Sequence, residues 1–467
     1  MTNVLRIHCT FAQKFTPQWD ETFQMTYFFL INWIIEFPLI QMPYVGRTVM
    51  ALSDAWVIRD FRLFILGDTA SKFGRAAFMT AVFWKVAEIG GPKAFGMLMT
   101  AYFLAHLPLI MVGGMLVDRV PRKRVALAMD LIQAVSAFVF IIMLIIGIDI
   151  VKVMIFACVI MGASTAFSMP AIQALVPDLV EEETLAAATG LHNASRTAAW
   201  SIGGLVGGLA IHFFGLQFTL WLDLLTFLIS AAFLIQIDEV PIKKLEEDGE
   251  GGDFKTEMKL AGDFVLSQPW LLVGILAFMV FHIGGAVMDI GIPFIVQKND
   301  WNAIHYGLWG ATTPIGAAIG ALYAGSKPIP KSIRGTIFYV TVSIAAWLDI
   351  LYVMTPWFFG ILLIALVQGL IIGVLGVIWN TTIGDSVDQH LRGRVFSIDA
   401  IGSFLFIPFA PIMGGYLIEE IGLTATVFIA VSIMVASTII GIIVPSFRRF
   451  ERVETEQFPI IQSEPSV

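Results

Sequence analysis

The sequence predicts an all-α polytopic membrane protein with twelve transmembrane helices arranged as two six-helix bundles. Hydrophobic residues make up 57% of the 467 residues, charged residues make up 14%, and the mean hydropathy is +0.83. A soluble protein carries about a quarter charged residues. Apolar stretches of about 20 residues, the length that crosses a bilayer core, recur along the whole chain.

An internal repeat indicates the division into two bundles. The second half repeats residues of the first half at a constant offset of 207 positions. The repeated pairs are Gly207 and Gly414, Gly208 and Gly415, Gly215 and Gly422, Asp178 and Asp385, Gly113 and Gly320, and Pro121 and Pro328. Two similar bundles with a seam between them are typical of membrane transporters.

The twelve predicted spans fall into two groups of six, separated by a charged segment. They lie near 61–84, 95–117, 125–147, 151–175, 185–213, 216–237, 270–296, 303–325, 334–354, 357–382, 393–417 and 423–445. We expect an N-terminal bundle at 55–237, a linker at 238–268, a C-terminal bundle at 269–447 and a tail at 448–467. Because the linker is rich in Glu, Asp, Lys and Gly, we expect it to bury no core.

The distribution of Lys and Arg predicts the orientation. One set of loops and the tail hold Arg119, Arg122, Lys123, Arg124, Lys243, Lys244, Lys255, Lys259, Lys327, Lys331, Arg334, Arg392, Arg394, Arg448, Arg449 and Arg452. The opposite loops hold Lys85, Lys93, Lys152 and Lys298. Basic residues concentrate in cytoplasmic loops. We therefore predict a multi-pass protein of the cell (inner) membrane with a cytoplasmic C-terminus.

Residues 1–54 do not fit the repeat. The apolar segment 26–45 contains Glu36, Pro38 and Pro43, and it lacks the basic start and cleavage site of a secretory signal. This extension is either an extra helix or the product of a mis-assigned start, with Met50 as the true initiator. We favour the mis-assigned start.

Several function classes find no support in the sequence. Cys9 and Cys158 offer neither a disulfide framework nor metal-ligand spacing. The chain has no basic patch with interleaved aromatic residues, so we expect no nucleic-acid partner. It also has no P-loop, no Gly-x-Ser-x-Gly elbow and no His-Glu-x-x-His helix. We expect no cofactor, no metal and no enzymatic activity.

The first span carries three charges on one helical face, namely Asp68, Lys72 and Arg75. Three central charges cost about 7.5–10 kcal/mol on insertion scales, whereas the apolar residues of the span return only about 3–5 kcal/mol. The charged face therefore cannot meet lipid. We expect it to border a water-accessible hollow shared by the two bundles, with Asp68 and Lys72 paired at i, i+4.

This charged face predicts a proton-coupling or substrate site. Two cations against one carboxylate call for a further partner. The candidates are Asp223, Asp289 and Asp399, and Arg196 is a further cation near mid-depth. A carboxylate between such neighbours can be poised to take and release a proton. The alternative is a static network of salt bridges. Asp289 and Asp349 lie near span ends, where we expect solvation, and His106 and His282 are weaker candidates for a proton relay.

The loop between spans two and three carries a recognisable motif. It reads Gly114-Met-Leu-Val-Asp118-Arg119-Val-Pro121-Arg122-Lys123-Arg124. This resembles the G-x-x-x-D-R-x-G-R-K/R loop signature of the major facilitator superfamily, with Pro121 in place of a glycine. The resemblance covers about 55–447 and implies the major facilitator fold. It also implies a gating role for Asp118, Arg119 and Arg122, and we place Asp399 with them. The alternative is a basic loop that only sets topology.

Small residues in spans five and eleven predict close helix packing. Span five contains Gly203, Gly204, Gly207 and Gly208, and span eleven contains Pro411, Gly414 and Gly415. The pattern is similar to the G-P-x-x-G-G pattern of proton-coupled drug exporters in the same superfamily. The stretch Pro170–Leu191 resembles the branch of macrolide and siderophore exporters.

The resemblance implies proton-coupled efflux of a hydrophobic or amphipathic small molecule by alternating access between the two bundles. Its partners would be the substrate, protons and the lipid bilayer. Two alternatives stay open. The two cations of span one also suit proton-coupled uptake of an organic anion. A non-transporting sensor on a transporter scaffold is the other, although the linker and tail are too short for a signalling domain.

Overall fold

The computed structural model describes residues 54–117, 119–239, 254–327, 329–444, 447 and 450. Every regular element of this part of the chain is helical, which confirms the predicted all-α class. The helices are α1 (Arg59–Val117), α2 (Arg122–Ile145), α3 (Ile150–Leu179), α4 (Glu182–Ile235), α5 (Phe254–Ser267), α6 (Pro269–Lys298), α7 (Ala303–Ser326), α8 (Arg334–Met354), α9 (Phe358–Ser386), α10 (Gln389–Phe404), α11 (Ala410–Ile421) and α12 (Leu423–Ile443). A 3-10 turn, Lys331–Ile333, precedes α8.

Two helices are too long for a single crossing and reverse at a glycine. Helix α1 has 59 residues and would measure about 90 Å if straight, three times the bilayer core of about 30 Å. It breaks at Gly91, where φ is 71°, and α4 breaks at Gly215, where φ is 79°. Side chains are strained in this left-handed region, so glycine permits the reversal. Each long helix thus supplies two spans.

Most of the predicted spans match long apolar helices. Within the described residues, eight helices are long and apolar enough to cross a membrane, and α1 and α4 are among them. Counting those two twice gives ten crossings. The eighth and eleventh predicted spans correspond to α7 and to the α10–α11 pair, which are more polar or interrupted. The count of twelve therefore stays a prediction.

Residues related by the 207-residue repeat occupy matching environments. Gly215 and Gly422 both adopt left-handed backbone conformations at helix reversals. A side chain at Gly113 would overlap the backbone of α3, and one at Gly320 would overlap the backbone of α9. The repeat therefore extends from sequence to packing.

The helices alternate in direction, which gives the molecule two ends. The glycine end holds the short reversals, which are Gly91, Gly215, Gly422 and the segments 146–149, 299–302 and 355–357. The basic end holds the Lys- and Arg-rich turns, which include Arg122, Lys123, Arg124, Lys331 and Arg334. No connection at the glycine end in the described residues exceeds four residues.

The predicted linker contains a packed helix, which corrects the expectation that it buries no core. Helix α5 is amphipathic, and its residues Ala261, Phe264 and Val265 are buried against the C-terminal half beside Trp270. The apolar residues lie at helical spacing within a charged stretch, so average composition concealed them.

Several predictions lie outside the described residues. These are the interpretation of the N-terminal extension up to residue 53, the gating role of Asp118, segment 240–253 of the linker and the tail beyond residue 450.

Candidate functional site

The carboxylate of Asp68 joins two spans of the N-terminal half. The Nζ of Lys72, one turn along α1, lies 3.2 Å from Oδ1 as an ion pair. The Nε2–H of His192, on α4, donates to Oδ2 over 2.9 Å. Asp68 is only 3% exposed, so both contacts act in a medium of low dielectric constant. The predicted pairing of Asp68 with Lys72 is present, whereas His192 was missed.

Arg75 is held separately from Asp68. Its guanidinium NH1 donates to the hydroxyl of Thr165 on α3 over 2.5 Å, and its carbon Cζ lies 5.3 Å from the ring centre of Phe227 on α4. The Nε of Arg75 has no hydrogen-bond partner among the described residues. The cation therefore ties three helices together without forming an ion pair with the Asp68 carboxylate.

Two further carboxylates lie in the same interior. Asp130 on α2 accepts a hydrogen bond from the hydroxyl of Ser230 on α4 over 2.6 Å. Asp223 on α4 is buried, and its Oδ1 has no partner in the described part of the chain. Asp223 was a sequence candidate and Asp130 was not. An aspartate within an apolar span, followed three residues later by Gln133, was the signal that could have found it.

The charged face of α1 does not border a hollow shared with the C-terminal half, which corrects that expectation. Asp68 and Arg75 are almost fully buried, whereas Leu66, about 160° around the helix from Asp68, is 40% exposed. The physical reason is that the N-terminal half supplies its own hydrogen-bond and ion-pair partners, so the charges need no water.

The remaining charged candidates are dispersed. Arg196 on α4 is partly exposed, lies within electrostatic range of Asp68, and has an unpartnered Nε. Arg119 is exposed at the basic end. Asp399 on α10 accepts hydrogen bonds from Trp379 Nε1 over 2.9 Å and from Ser403 over 3.2 Å. The structure therefore keeps Asp399 within the C-terminal half.

Matching ion pairs close each half at the basic end. Arg122, at the start of α2, pairs with Asp178 at the end of α3. In the second half Arg334 pairs with Asp385 over 2.7 Å, which links α8 to α9. Each pair lies within one half. Arg122 therefore braces helices of its own bundle rather than bridging the two bundles.

Helices α4 and α7 form the first seam between the halves. A methyl group added at Gly208 would lie 2.5 Å from the carbonyl oxygen of Ala303, and one at Gly307 would lie 2.7 Å from that of Gly204. The other two glycines of the motif, Gly203 and Gly207, pack against the backbone of α1 instead. Helix α4 thus packs against α1 through one face and against α7 of the C-terminal half through the adjacent face.

Helices α1 and α11 form the second seam. A methyl group at Gly96 would lie 2.5 Å from the carbonyl oxygen of Pro411, and Gly415 approaches the carbonyl of Pro92. The hydroxyl of Thr100 accepts a hydrogen bond from a backbone N–H of α11 over 3.2 Å. Gly414 packs on α6 within its own half. Both seams lie toward the glycine end.

The halves separate toward the basic end. Gly114 lies on the seam face of α1, five turns beyond Gly96, and a methyl group added there would have no atom within 4 Å. The same is true of Gly190 on α4 and Gly325 on α7. Met111 on the same face of α1 is 55% exposed. The structure is therefore closed at the glycine end and open at the basic end.

An ion-pair cluster crosses the second seam at the glycine end, just outside the predicted spans. The Nζ of Lys93 lies 2.8 Å from Glu419 and 3.5 Å from Glu420, and it sits 4.8 Å from the ring centre of Tyr416. The backbone N–H of Lys93 also donates to Glu419 over 3.1 Å. The hydrogen bond from Lys93 lowers the pKa of Glu419, and Glu419 raises the pKa of Lys93. The pair therefore stays charged at neutral pH.

We expect Lys93→Glu to open the glycine end, because it places three carboxylates where an ion pair was. Ile148 and Trp357 are exposed at this end of the N-terminal and C-terminal halves. Double electron–electron resonance between spin labels at these two positions should report a longer distance in the variant. Adding Glu419→Lys should shorten that distance again. Acid should open the closed state only as the pH falls through the lowered pKa of Glu419.

A matched control is available for this prediction. Lys85 also pairs with a glutamate at the glycine end, Glu88, over 2.7 Å, but both residues belong to the N-terminal half. Lys85→Glu should leave the label distance unchanged. Equal lengthening in both variants would show that charge alone, and not the seam, sets the distance.

A second polar network lies in the C-terminal half and was not predicted. Asp349 accepts a hydrogen bond from Gln368 over 2.7 Å, Tyr352 donates to Gln368 over 3.1 Å, and Trp309 donates to Tyr352 over 3.4 Å. Asp349 is buried, whereas Asp289 is exposed. The expectation of solvation was therefore wrong for Asp349. Its amide partner lies on the next span, so the carboxylate needs no water.

The two histidines considered as relays have different surroundings. His106 shares a hydrogen bond with the carbonyl of Gly162 over 3.3 Å and stacks on Tyr102. The Nδ1 of His282 is buried without a partner in the described residues. Neither histidine contacts the Asp68 carboxylate.

Known proteins share this fold and sequence pattern. The family model of the Major Facilitator Superfamily matches residues 65–364. The chain is 26% identical to the multidrug efflux pump Tap of Mycolicibacterium fortuitum, over 74% of this chain and 86% of that protein. It is 24% identical to macrolide efflux protein A of Streptococcus pyogenes, over 85% of this chain and 98% of that protein.

Solved structures show the same fold at low identity. The nucleoside transporter NupG superposes with a TM-score of 0.63 at 13% identity, covering 81% of this chain and 97% of that one. The POT family transporter PepTSo gives 0.60 at 10% identity, covering 82% and 97%. The family match covers more than half of the sequence and confirms the predicted resemblance. The chain is a membrane transporter, not an enzyme, and belongs to the major facilitator superfamily.

Proposed function

We propose that this transporter exports a hydrophobic or amphipathic small molecule from the cytoplasm in exchange for protons. The two halves rock about their seams by alternating access. The basic end faces the cytoplasm of a cell whose inner membrane holds the protein, in line with the excess of Lys and Arg at that end.

The observation that carries the proposal is the pair of contacts made by Asp68. One oxygen faces Lys72 on its own span and the other accepts from His192 on α4. Protonation of Asp68 removes the charge that both contacts depend on. Lys72, whose side chain is 15% exposed, then lacks its counter-ion in a largely buried site, so proton binding changes the free energy of packing between α1 and α4.

Helix α4 connects this titratable site to the halves' interface. His192 and the seam glycines Gly204 and Gly208 lie on one continuous helical stretch before the break at Gly215. A change in the packing of α4 on α1 therefore acts on the seam with α7. Asp68 thus couples proton binding to the change between the two open states. It acts from within the N-terminal half and does not contact the substrate.

The lining of the open end supports a hydrophobic cargo. Exposed apolar side chains lie on α1 toward the basic end, among them Met111 and Met115. The names of the relatives, a multidrug efflux pump and a macrolide efflux protein, support export over uptake. Uptake of an organic anion finds less support, because Lys72 is paired with Asp68 and Arg75 is bound to Thr165.

The direction of flux tests the proposal. Inside-out vesicles with an acidified lumen should lose lumenal protons when a lipophilic substrate is added outside, and a trapped pH-sensitive dye would report the loss. The substrate should accumulate in the lumen, and an uncoupler should abolish this accumulation. Vesicles without the protein are the control. Accumulation that requires an alkaline lumen would instead establish coupled uptake, and accumulation without any proton movement would exclude coupling.

A further inference from the structure

A small cavity lies inside the N-terminal half, between α1, α2, α3 and α4. Its volume of about 20 Å³ suffices for one water molecule. Phe78, Phe140 and Met161 form much of its apolar wall, and Gln133 and Asp223 bring polar atoms to it.

The two polar side chains both lack partners, and their atoms are complementary. Gln133 and Asp223 are each 6% exposed. The Nε2 of Gln133 and the Oδ1 of Asp223 have no hydrogen-bond partner among the described residues. The third polar residue of the wall, Ser136, donates its proton to the carbonyl of Ile132 over 2.7 Å. A water that accepts from Gln133 and donates to Asp223 satisfies both buried groups.

The buried carboxyl groups near this cavity differ in how well their charges are compensated. Asp68 is compensated by Lys72 over 3.2 Å. Asp130 lies within electrostatic range of both Lys72 and Arg75, whereas Asp223 lies within range of Arg75 and of the like charge of Asp130. A charged carboxylate in a buried site is costly unless donors or a paired cation hold it, so the carboxyl group with the fewest such contacts is the one that carries a proton.

Hydrogen bonding decides which carboxyl holds the proton. Asp130 accepts a hydrogen bond from Ser230 over 2.6 Å, which stabilises its charged form. Asp223 receives no such bond at Oδ1. The NH1 of Arg75 is directed to Thr165 rather than to either carboxylate. The charged groups that face Asp223 from neighbouring helices are thus Arg75 on α1 and Asp130 on α2.

We propose that this cavity is a second proton-binding site, in which one water bridges Gln133 Nε2 and Asp223 Oδ1 and the proton resides on Asp223. Its place in the transport cycle rests on the proposed proton coupling. The occupancy by water and by the proton is measured without transport, so the two proposals fail independently.

Radiolytic hydroxyl-radical labelling of the purified full-length protein tests for the water, because a bound water generates radicals beside the residues that it touches. Met161 lines the cavity, whereas Met154 lies two turns earlier on α3, is also buried and lies outside it. We expect Met161 to be oxidised faster than Met154, because a bound water lies beside it. Gln133→Leu should abolish this difference in rate. Equal oxidation of the two methionines in the unaltered protein would overturn the proposal.

Infrared difference spectroscopy tests for the proton. At neutral pH the protein should show the C=O stretching band of a protonated carboxyl group that Asp223→Asn removes. The double variant Asp68→Asn, Lys72→Met removes one ion pair whole and should retain the band. Asp130→Asn should also remove it, because the remaining carboxylate is then balanced by Arg75. A band that persists in Asp223→Asn would overturn the proposal. A lost band combined with intact proton-driven efflux would leave the proton on Asp223 and exclude it from coupling.

Discussion

Asp68→Asn is expected to abolish proton-driven efflux while the protein still reaches the membrane. Asparagine keeps the size of the side chain but cannot take up a proton or balance Lys72, so both contacts of the carboxylate lose their dependence on pH. We expect the initial rate of efflux in acid-loaded inside-out vesicles to fall at least about a hundredfold, since removal of a required proton carrier leaves no coupled route. Substrate exchange without a proton gradient should continue.

The uncompensated lysine is the main risk of this variant. Removal of one partner of a buried ion pair costs about 3–5 kcal/mol, which lowers the amount of folded protein when the margin of stability is small. Asp68→Asn combined with Lys72→Met removes both charges. The double variant should regain thermal stability and remain uncoupled. Wild-type efflux in either variant would remove Asp68 from the mechanism.

Gly208→Leu is expected to trap the transporter with its glycine end open. The first carbon of the new side chain alone would lie 2.5 Å from the carbonyl oxygen of Ala303 and 3.1 Å from the Cα of Gly307. Backbone atoms cannot move aside as side chains do, so α4 and α7 have to separate. The distance between spin labels at Ile148 and Trp357 should lengthen, and efflux should be lost.

Gly190→Leu is the matched control for this prediction. Gly190 lies on the same face of α4, five turns earlier, and nothing lies within 4 Å of its side-chain position. The variant should keep the closed label distance and should be folded to the same extent. A normal label distance in Gly208→Leu would show that the seam of α4 and α7 does not hold the closed state.

Composition and the repeat were sufficient to predict the fold class, and one loop motif indicated the family. The predicted membrane class needed only apolar stretches of the right length, and the 207-residue offset led to residues with matching packing, such as Gly215 and Gly422. The loop Gly114–Arg124 carried the family resemblance. Local spacing also predicted the pair of Asp68 and Lys72, because residues four apart on a helix are neighbours.

Contacts between distant spans could not be read from the sequence. His192 lies 124 positions from Asp68, and Ser230 lies 100 positions from Asp130. Helical spacing fixes which residues share a face, but the rotation of one helix against the next decides which faces meet. For the same reason the charged face of α1 was expected at the seam, whereas the structure turns it toward α3 and α4.

The short connections at the glycine end determine how a binding reagent can recognise that surface. None of these connections is long enough to form a nanobody epitope by itself; they are segments 146–149, 299–302 and 355–357 and the single-glycine reversals. The epitope would have to combine helix ends from both halves. In the proposed transport cycle those ends move apart, so a tight binder of this surface should discriminate between conformations and serve as a reporter of the closed form.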